Sequence, residues 1–223
     1  MSTEPDDYIK PIPDPSDSVL ALLQAGEIIP DVIPHEYVLG FKPSVFFSIA
    51  FPGFTTSATE ITLGTTFELG AVQKEPELEV VATTPDQLEG SVDPDKRSYT
   101  VVMTDPDAPS KLDPKMAQWR HWVAAERPQV TGVKLPKAGS GNTFAAKPQP
   151  AATPFHPPAP PAGSGPHRYV VLLFEEPASF SLPADALERQ ADVKHRAHWH
   201  AMKFAEQYKL KLVGANFFIT QKD

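Results

Sequence analysis

The sequence predicts a mainly β chain built as an antiparallel sandwich or barrel, and three observations carry that expectation. Short β-branched and aromatic runs recur at irregular spacing with no helices alternating between them. Twenty-six prolines against twelve glycines in 223 residues, against a usual proline share of about 5%, exclude a predominantly helical bundle and favour short strands with long connections. A hydrophobic content of 41% can bury one sizeable core and is too high for a disordered chain.

The elements follow in order. A proline-studded opening (Pro5, Pro11, Pro13, Pro15) reads as a flexible segment over residues 1–15, with one domain over 16–223. Ser16 or Asp17 can cap a short helix through Val19, Leu20, Leu22 and Leu23, with Gly26 as a left-handed stop. Ile28, Ile29, Val32 and Ile33, broken by Pro30 and Pro34, form an apolar arm on the body or an alternative contact surface. Residues 45–51 alternate with period two and are apolar on both faces. Ile61–Leu63, Thr66–Leu69 and Leu78–Ala82 are shorter strand candidates. Ser98–Thr104, Trp119–Ala125 and Arg168–Glu175 are stronger ones. Between about residues 131 and 162, prolines stud a run of Ala, Gly, Ser and Lys. Proline cannot donate to a sheet ladder, so this is a long connection, expected to be mobile in its first half and ordered from Pro158. Ala201, Phe204, Ala205 and Tyr208 fall at helical spacing, for about three turns. A half-exposed strand over Lys209–Val213 follows, and Phe217, Phe218 and Ile219 close the core.

Composition also excludes functions. A formal charge of −8 repels nucleic acid and anionic membranes. The absence of cysteine excludes disulfides, thiol chemistry and thiolate metal sites. The longest apolar run, Val170 to Phe174, is too short to cross a bilayer. The acidic start is unlike a secretory leader. These features fit a cytoplasmic monomer without a cofactor.

Three segments place polar groups at strand ends. In Asp105-Pro106-Asp107-Ala108-Pro109-Ser110 the prolines stiffen a turn from which both carboxylates project. In Trp119-Arg120-His121-Trp122-Val123, period two puts Trp119, His121 and Val123 on one face and Arg120 and Trp122 on the other. In Gly163-Ser164-Gly165-Pro166-His167-Arg168-Tyr169, His167 and Tyr169 share a face, while Arg168 points to the opposite side, toward a buried carboxylate. Ser164 is no nucleophile elbow, because Ala162 and Pro166 stand where glycines are required.

Jointly, in order and spacing, these three segments resemble the signatures of the phosphatidylethanolamine-binding protein family. Pro158-Ala159-Pro160-Pro161-Ala162-Gly163-Ser164 and Val213-Gly214-Ala215-Asn216-Phe217-Phe218 resemble it too. The N-terminal helix and the long connection look like its fungal branch, which includes carboxypeptidase Y inhibitors. Phe155-His156-Pro157-Pro158 departs from the family's usual Tyr-x-Gly-Pro. The resemblance implies an antiparallel β-sandwich with peripheral N-terminal and C-terminal helices, a small anion pocket, and a cis bond before Pro109. It places Asp105, Asp107, His121 and His167 at the pocket, with Trp119, Pro161 and Tyr169 as walls.

The chemistry agrees with that picture. Two imidazoles can each donate to a phosphate or carboxylate oxygen if aspartates hold the other ring nitrogen and keep the rings charged. The amides of Gly163 and Gly165 could add donors, and binding should tighten from pH about 8 to about 6, near the histidine reference value of ~6.5. The expected function is a non-catalytic binding and regulatory protein for phosphate, phosphorylethanolamine or carboxylate, acting on a serine carboxypeptidase or a signalling kinase. The alternative is a metal-dependent phosphoesterase using the same Asp/His cluster. His195, His198 and His200 form a second histidine cluster, in which His195 and His198 could share a helical face and hold a metal; a solvated cluster is favoured, since no carboxylate lies at ligand spacing.

Overall fold

The computed structural model describes residues 14–53, 62–84, 97–127, 129–137, 139–148 and 150–223. Three short helices open it: α1 (Pro15–Ala25), α2 (Ile28–Asp31) and α3 (His35–Val38). Seven strands follow: β1 (Val45–Ala50), β2 (Thr65–Thr66), β3 (Glu77–Thr83), β4 (Tyr99–Asp105), β5 (Trp119–Ala124), β6 (His167–Glu175) and β7 (Lys211–Thr220). The helix α4 (Ala201–Tyr208) precedes the last strand. The larger sheet runs β2-β7-β6-β4-β5 and the smaller one pairs β1 with β3. Every pairing is antiparallel except the short β2–β7 ladder.

The architecture follows from β4 and β6 being apolar on both faces. Val102, Val170, Leu172 and Phe174 face α1, α2 and α4, packing on Val19, Leu23, Ile28, Ile29 and Phe204. Val101, Met103, Val171 and Leu173 face the small sheet through Val45, Phe47, Ile49 and Leu78. The chain is therefore a β-sandwich whose outer face carries the N- and C-terminal helices. Gly214 on β7 sits where the sheets touch, and a Cβ there would collide with the Val45 carbonyl.

Several expectations change in detail. The cap of α1 is Asp14, whose carboxylate accepts from Ser16 N, not Ser16 or Asp17. The left-handed residue is Glu27 at φ 56°. Gly26 has φ −81° and is small because a side chain would strike the Phe217 ring. Ile28, Ile29, Val32 and Ile33 are buried in the core, so the arm offers no apolar contact surface. Residues 1–13 and Ile61 lie outside the described residues, and the Thr66–Leu69 candidate becomes β2 plus a 3-10 turn at Leu69–Val72. The two C-terminal candidates are one strand, β7, and α4 is only two turns long. The first half of the long connection is laced to the body: Ala145 N donates to Leu78 O, Val80 N to Thr143 O, and Lys134 pairs with Ala146. Lys147 is buried against Glu75 and Glu77.

Candidate ligand-binding site

The β4 strand ends in the Asp105-Pro106-Asp107 turn, and the two carboxylates leave it in opposite directions. Asp105 is buried, its Oδ1 accepts from Asp107 N at 2.7 Å and its Oδ2 lies 2.8 Å from His167 Nδ1. Asp107 faces away. Its oxygens receive Arg168 Nε at 2.9 Å, Arg168 Nη2 at 2.6 Å and the Arg168 amide at 2.8 Å. Arg168 also donates to the carbonyls of Gly26 and Glu27 and to Asp31 Oδ2. The buried carboxylate that Arg168 seeks is thus Asp107 itself. Asp107 is a structural ion-pair member and not a cavity wall, a correction to the sequence reading. The bond before Pro109 is cis, as the resemblance implied.

Beside that turn opens a cavity of about 190 Å³. Asp105, Trp119, His121, Pro161, His167 and Tyr169 line it, which gathers six of the seven expected residues. Its size matches a headgroup or a free anion and falls short of the ~300 Å³ lower range of drug-sized pockets. Gly163 and Gly165 are not among the lining residues. They take φ of 74° and 81° and shape the turn in which Ser164 N donates to Pro161 O.

A β-bulge sets the aim of His121. The β4–β5 register pairs Met103 with Trp122 and Thr104 with Arg120, so His121 is the extra residue. Period two therefore fails here: Trp122 joins the Met103 side of the sheet and Val123 the opposite side. A bulge re-aims a side chain without ending the pairing, and here it puts His121 and Trp119 at the same cavity.

The two imidazoles flank Tyr169, whose ring centroid is 5.1 Å from His121 and 6.4 Å from His167. Their electrostatics differ. For His167, burial works against the charged form, but the hydrogen bond and charge of Asp105 outweigh it and raise the pKa above the ordinary value. Burial likewise pushes the Asp105 carboxyl up, opposed in part by His167. On the outer side, Ser164 Oγ lies 3.0 Å from His167 Nε2 and 2.7 Å from Pro161 O. The hydroxyl has one proton, so donation to the carbonyl leaves its oxygen to accept from a protonated Nε2. His121 has no carboxylate partner. Its Nδ1 is 2.7 Å from His156 O, and burial, helped by His156, Arg196 and His167, drives its pKa down to about 3. The two rings therefore differ, the charged form being favoured for His167 and opposed for His121.

Sequence reasoning missed several contributors. His156 lines the cavity, and its position was visible only as a departure from the usual loop pattern. Arg196 lies beneath the floor. The residue is 3% exposed, and its guanidinium donates to the carbonyls of Arg120, His121, Pro154 and Ala191. One planar fork therefore ties β5 at its bulge to the loop that carries His156. No local pattern marks such a residue.

The second histidine cluster does not assemble. His195 ends a 3-10 turn and lies 3.5 Å from Asp192, His198 has φ 59°, and His200 caps α4, so no common helical face exists. Among the described residues, no group of three or more His, Asp or Glu converges to hold a metal. The donor set for the phosphoesterase alternative is also committed elsewhere, with Asp107 on Arg168 and His121 on a carbonyl.

Fold and cavity together define a β-sandwich with a histidine-lined hollow at one end of its main sheet. The sequence profile of the family "Phosphatidylethanolamine-binding protein" matches residues 54–218, and the chain belongs to that family. A relative, the carboxypeptidase Y inhibitor of Saccharomyces cerevisiae, is 29% identical over 210 residues, covering 87% of this chain and 90% of that protein. The crystal structure of carboxypeptidase Y inhibitor complexed with the cognate proteinase superposes with a TM-score of 0.67 at 25% identity, over 93% of this chain and 97% of that one. The phosphatidylethanolamine-binding protein from Plasmodium vivax shares the fold with a TM-score of 0.60 at 19% identity, over 92% of this chain and 98% of that one. No described helix is long and apolar enough to cross a membrane.

Proposed function

We propose that this chain is a non-catalytic binding and regulatory protein, working in the cytoplasm, whose cavity holds a small anion such as phosphate, phosphorylethanolamine or a carboxylate. The observation that carries the reading is the His167 ring, hydrogen-bonded to buried Asp105 at the edge of an open hollow, where that carboxylate favours its charged form. Trp119, Pro161 and Tyr169 wall that hollow and suit the methylene part of a headgroup. The whole domain is the site's natural unit, from α1 to β7. We assign its partner by relationship: a relative is named for inhibiting carboxypeptidase Y, and a solved neighbour is complexed with its cognate proteinase, so a serine carboxypeptidase is the expected protein target.

Titration of the protein with phosphorylethanolamine, followed by the ring signals of Trp119 and Tyr169, tests the pocket. Saturable binding that His167→Ala abolishes is expected; binding untouched by that change would place the anion elsewhere. An inhibition assay against carboxypeptidase Y tests the partner, and activity unchanged at a large excess of the chain would refute it.

A further inference from the structure

The cavity's two histidines do not offer the same thing to a ligand. His121 Nδ1 faces the carbonyl of His156 at 2.7 Å. A carbonyl can only accept, so the ring's proton resides on Nδ1 and Nε2 is left with a bare lone pair. A second proton on Nε2 would make a buried cation. The residue is 3% exposed, and the charged or titratable groups around it are His156, His167, Arg196 and the Tyr169 phenol, none of which supplies a negative charge. Asp105, the nearby acid of the cavity, is already committed to His167 and to the Asp107 amide. His156 repeats the pattern, with Nδ1 3.1 Å from Pro157 O, so its neutral form also leaves Nε2 as an acceptor.

We propose that the cavity selects ligands carrying a proton donor beside their negative oxygen, with His167 receiving the charge and His121 Nε2 receiving the donor. This rests on the anion-pocket reading above and narrows it. The favoured class is hydrogen phosphate, a protonated phosphate monoester, or an ammonium-bearing phosphate. Fully deprotonated tetrahedral anions are rejected, because they would set an oxygen lone pair against the lone pair of a buried nitrogen. A site with a buried acceptor discriminates against a ligand that leaves it unpaired.

Inorganic phosphate and sulfate provide the comparison, since they are near in size and only phosphate keeps a proton through the neutral range. Dimethyl phosphate, a singly charged ion without a proton, separates the proton from the charge. Calorimetric titration of the full chain at pH 6.5 should give phosphate tighter than both by on the order of tenfold or more. In His121→Gln, whose side-chain amide can both donate and accept, the preference should collapse to about threefold or less. Long-range ¹⁵N–¹H spectra of the unliganded protein should show His121 protonated at Nδ1 alone down to pH 5. Equal binding of phosphate and sulfate by the unaltered protein, or a proton on His121 Nε2, would overturn the selection while leaving an anion site standing. Binding of none of the three ions would remove the anion site, and the selection with it.

Discussion

Two sides of one turn make a natural comparison. Asp105 and Asp107 are two residues apart at the end of β4, and each holds a cation from the start of β6. Behind the turn, Asp107 and Arg168 form a bidentate pair whose remaining donors are taken by Asp31 and two carbonyls. In front, Asp105 and His167 form a single ion-pair contact, and the outer ring nitrogen lies 3.0 Å from Ser164 Oγ at the cavity rim. Saturation makes the first pair a fastener. The second sets an imidazole at the edge of an open space, the arrangement that the proposed anion site uses. Similar sequence elements thus diverge in role through their setting, one pair enclosed and the other bordering the cavity.

The largest effect should come from breaking the rear pair. Arg168→Met leaves Asp107 buried without its counter-charge, and denaturant unfolding should show a loss of about 3–5 kcal/mol. Arg196→Lys should follow, at about 2 kcal/mol, because one ammonium cannot reach the carbonyls that the guanidinium spans; phosphate affinity should fall with it as His121 loses its seat. Asp105→Asn sharpens the contrast. It removes the charge that holds His167 protonated and should weaken phosphate binding at pH 7 by on the order of tenfold, with a smaller stability loss than Arg168→Met. A full-size stability loss in Asp105→Asn without a binding defect would erase the distinction between the two sides.

The smallest effect is the pH profile. His167 has a raised pKa, so its contribution is fully present below the unfolded value of ~6.5 and is lost as pH rises through the folded value. His121, at about 3, does not titrate in that window, so phosphate affinity should fall above pH ~6.5 with the slope of one protein proton. Stability carries a second contribution from Glu176, a buried acid whose carboxyl burial pushes up to about 7. The folded chain retains that proton where the unfolded chain has released it, so stability falls as pH rises toward 7 and is flat beyond. Glu176→Gln should remove that slope and leave the more alkaline loss that belongs to His167, as urea midpoints measured from pH 5 to 9 would show.

Much of the framework was legible because burial on both faces writes continuous apolar runs. Ser98–Thr104 and Arg168–Glu175 read directly as strands, and the amphipathic spacing of α4 was equally plain. The failures were of direction. A proline between two aspartates says that both leave the strand, but only the distant Arg168 and His167 decide which way each turns. The bulge at His121 depends on register with β4, so alternation along β5 alone misassigned Trp122 and Val123. The neutrality of His121 comes from burial, and its tautomer from a carbonyl 35 residues away in sequence. Arg196 is an ordinary surface residue by type, and only the four carbonyls gathered around it make it a structural hub.

The burial of the N-terminal arm has a practical corollary for anyone dissecting this molecule. The family match begins at residue 54, yet Leu23, Ile28, Ile33 and Phe41 plug one side of the main sheet, and Gly26, Glu27 and Asp31 receive the guanidinium that braces the Asp105–Asp107 turn from behind. An expression fragment trimmed to the matched segment would also discard β1 and lay bare both halves of the interior. The smallest autonomous unit must start no later than Asp14, well upstream of where similarity alone would draw the line.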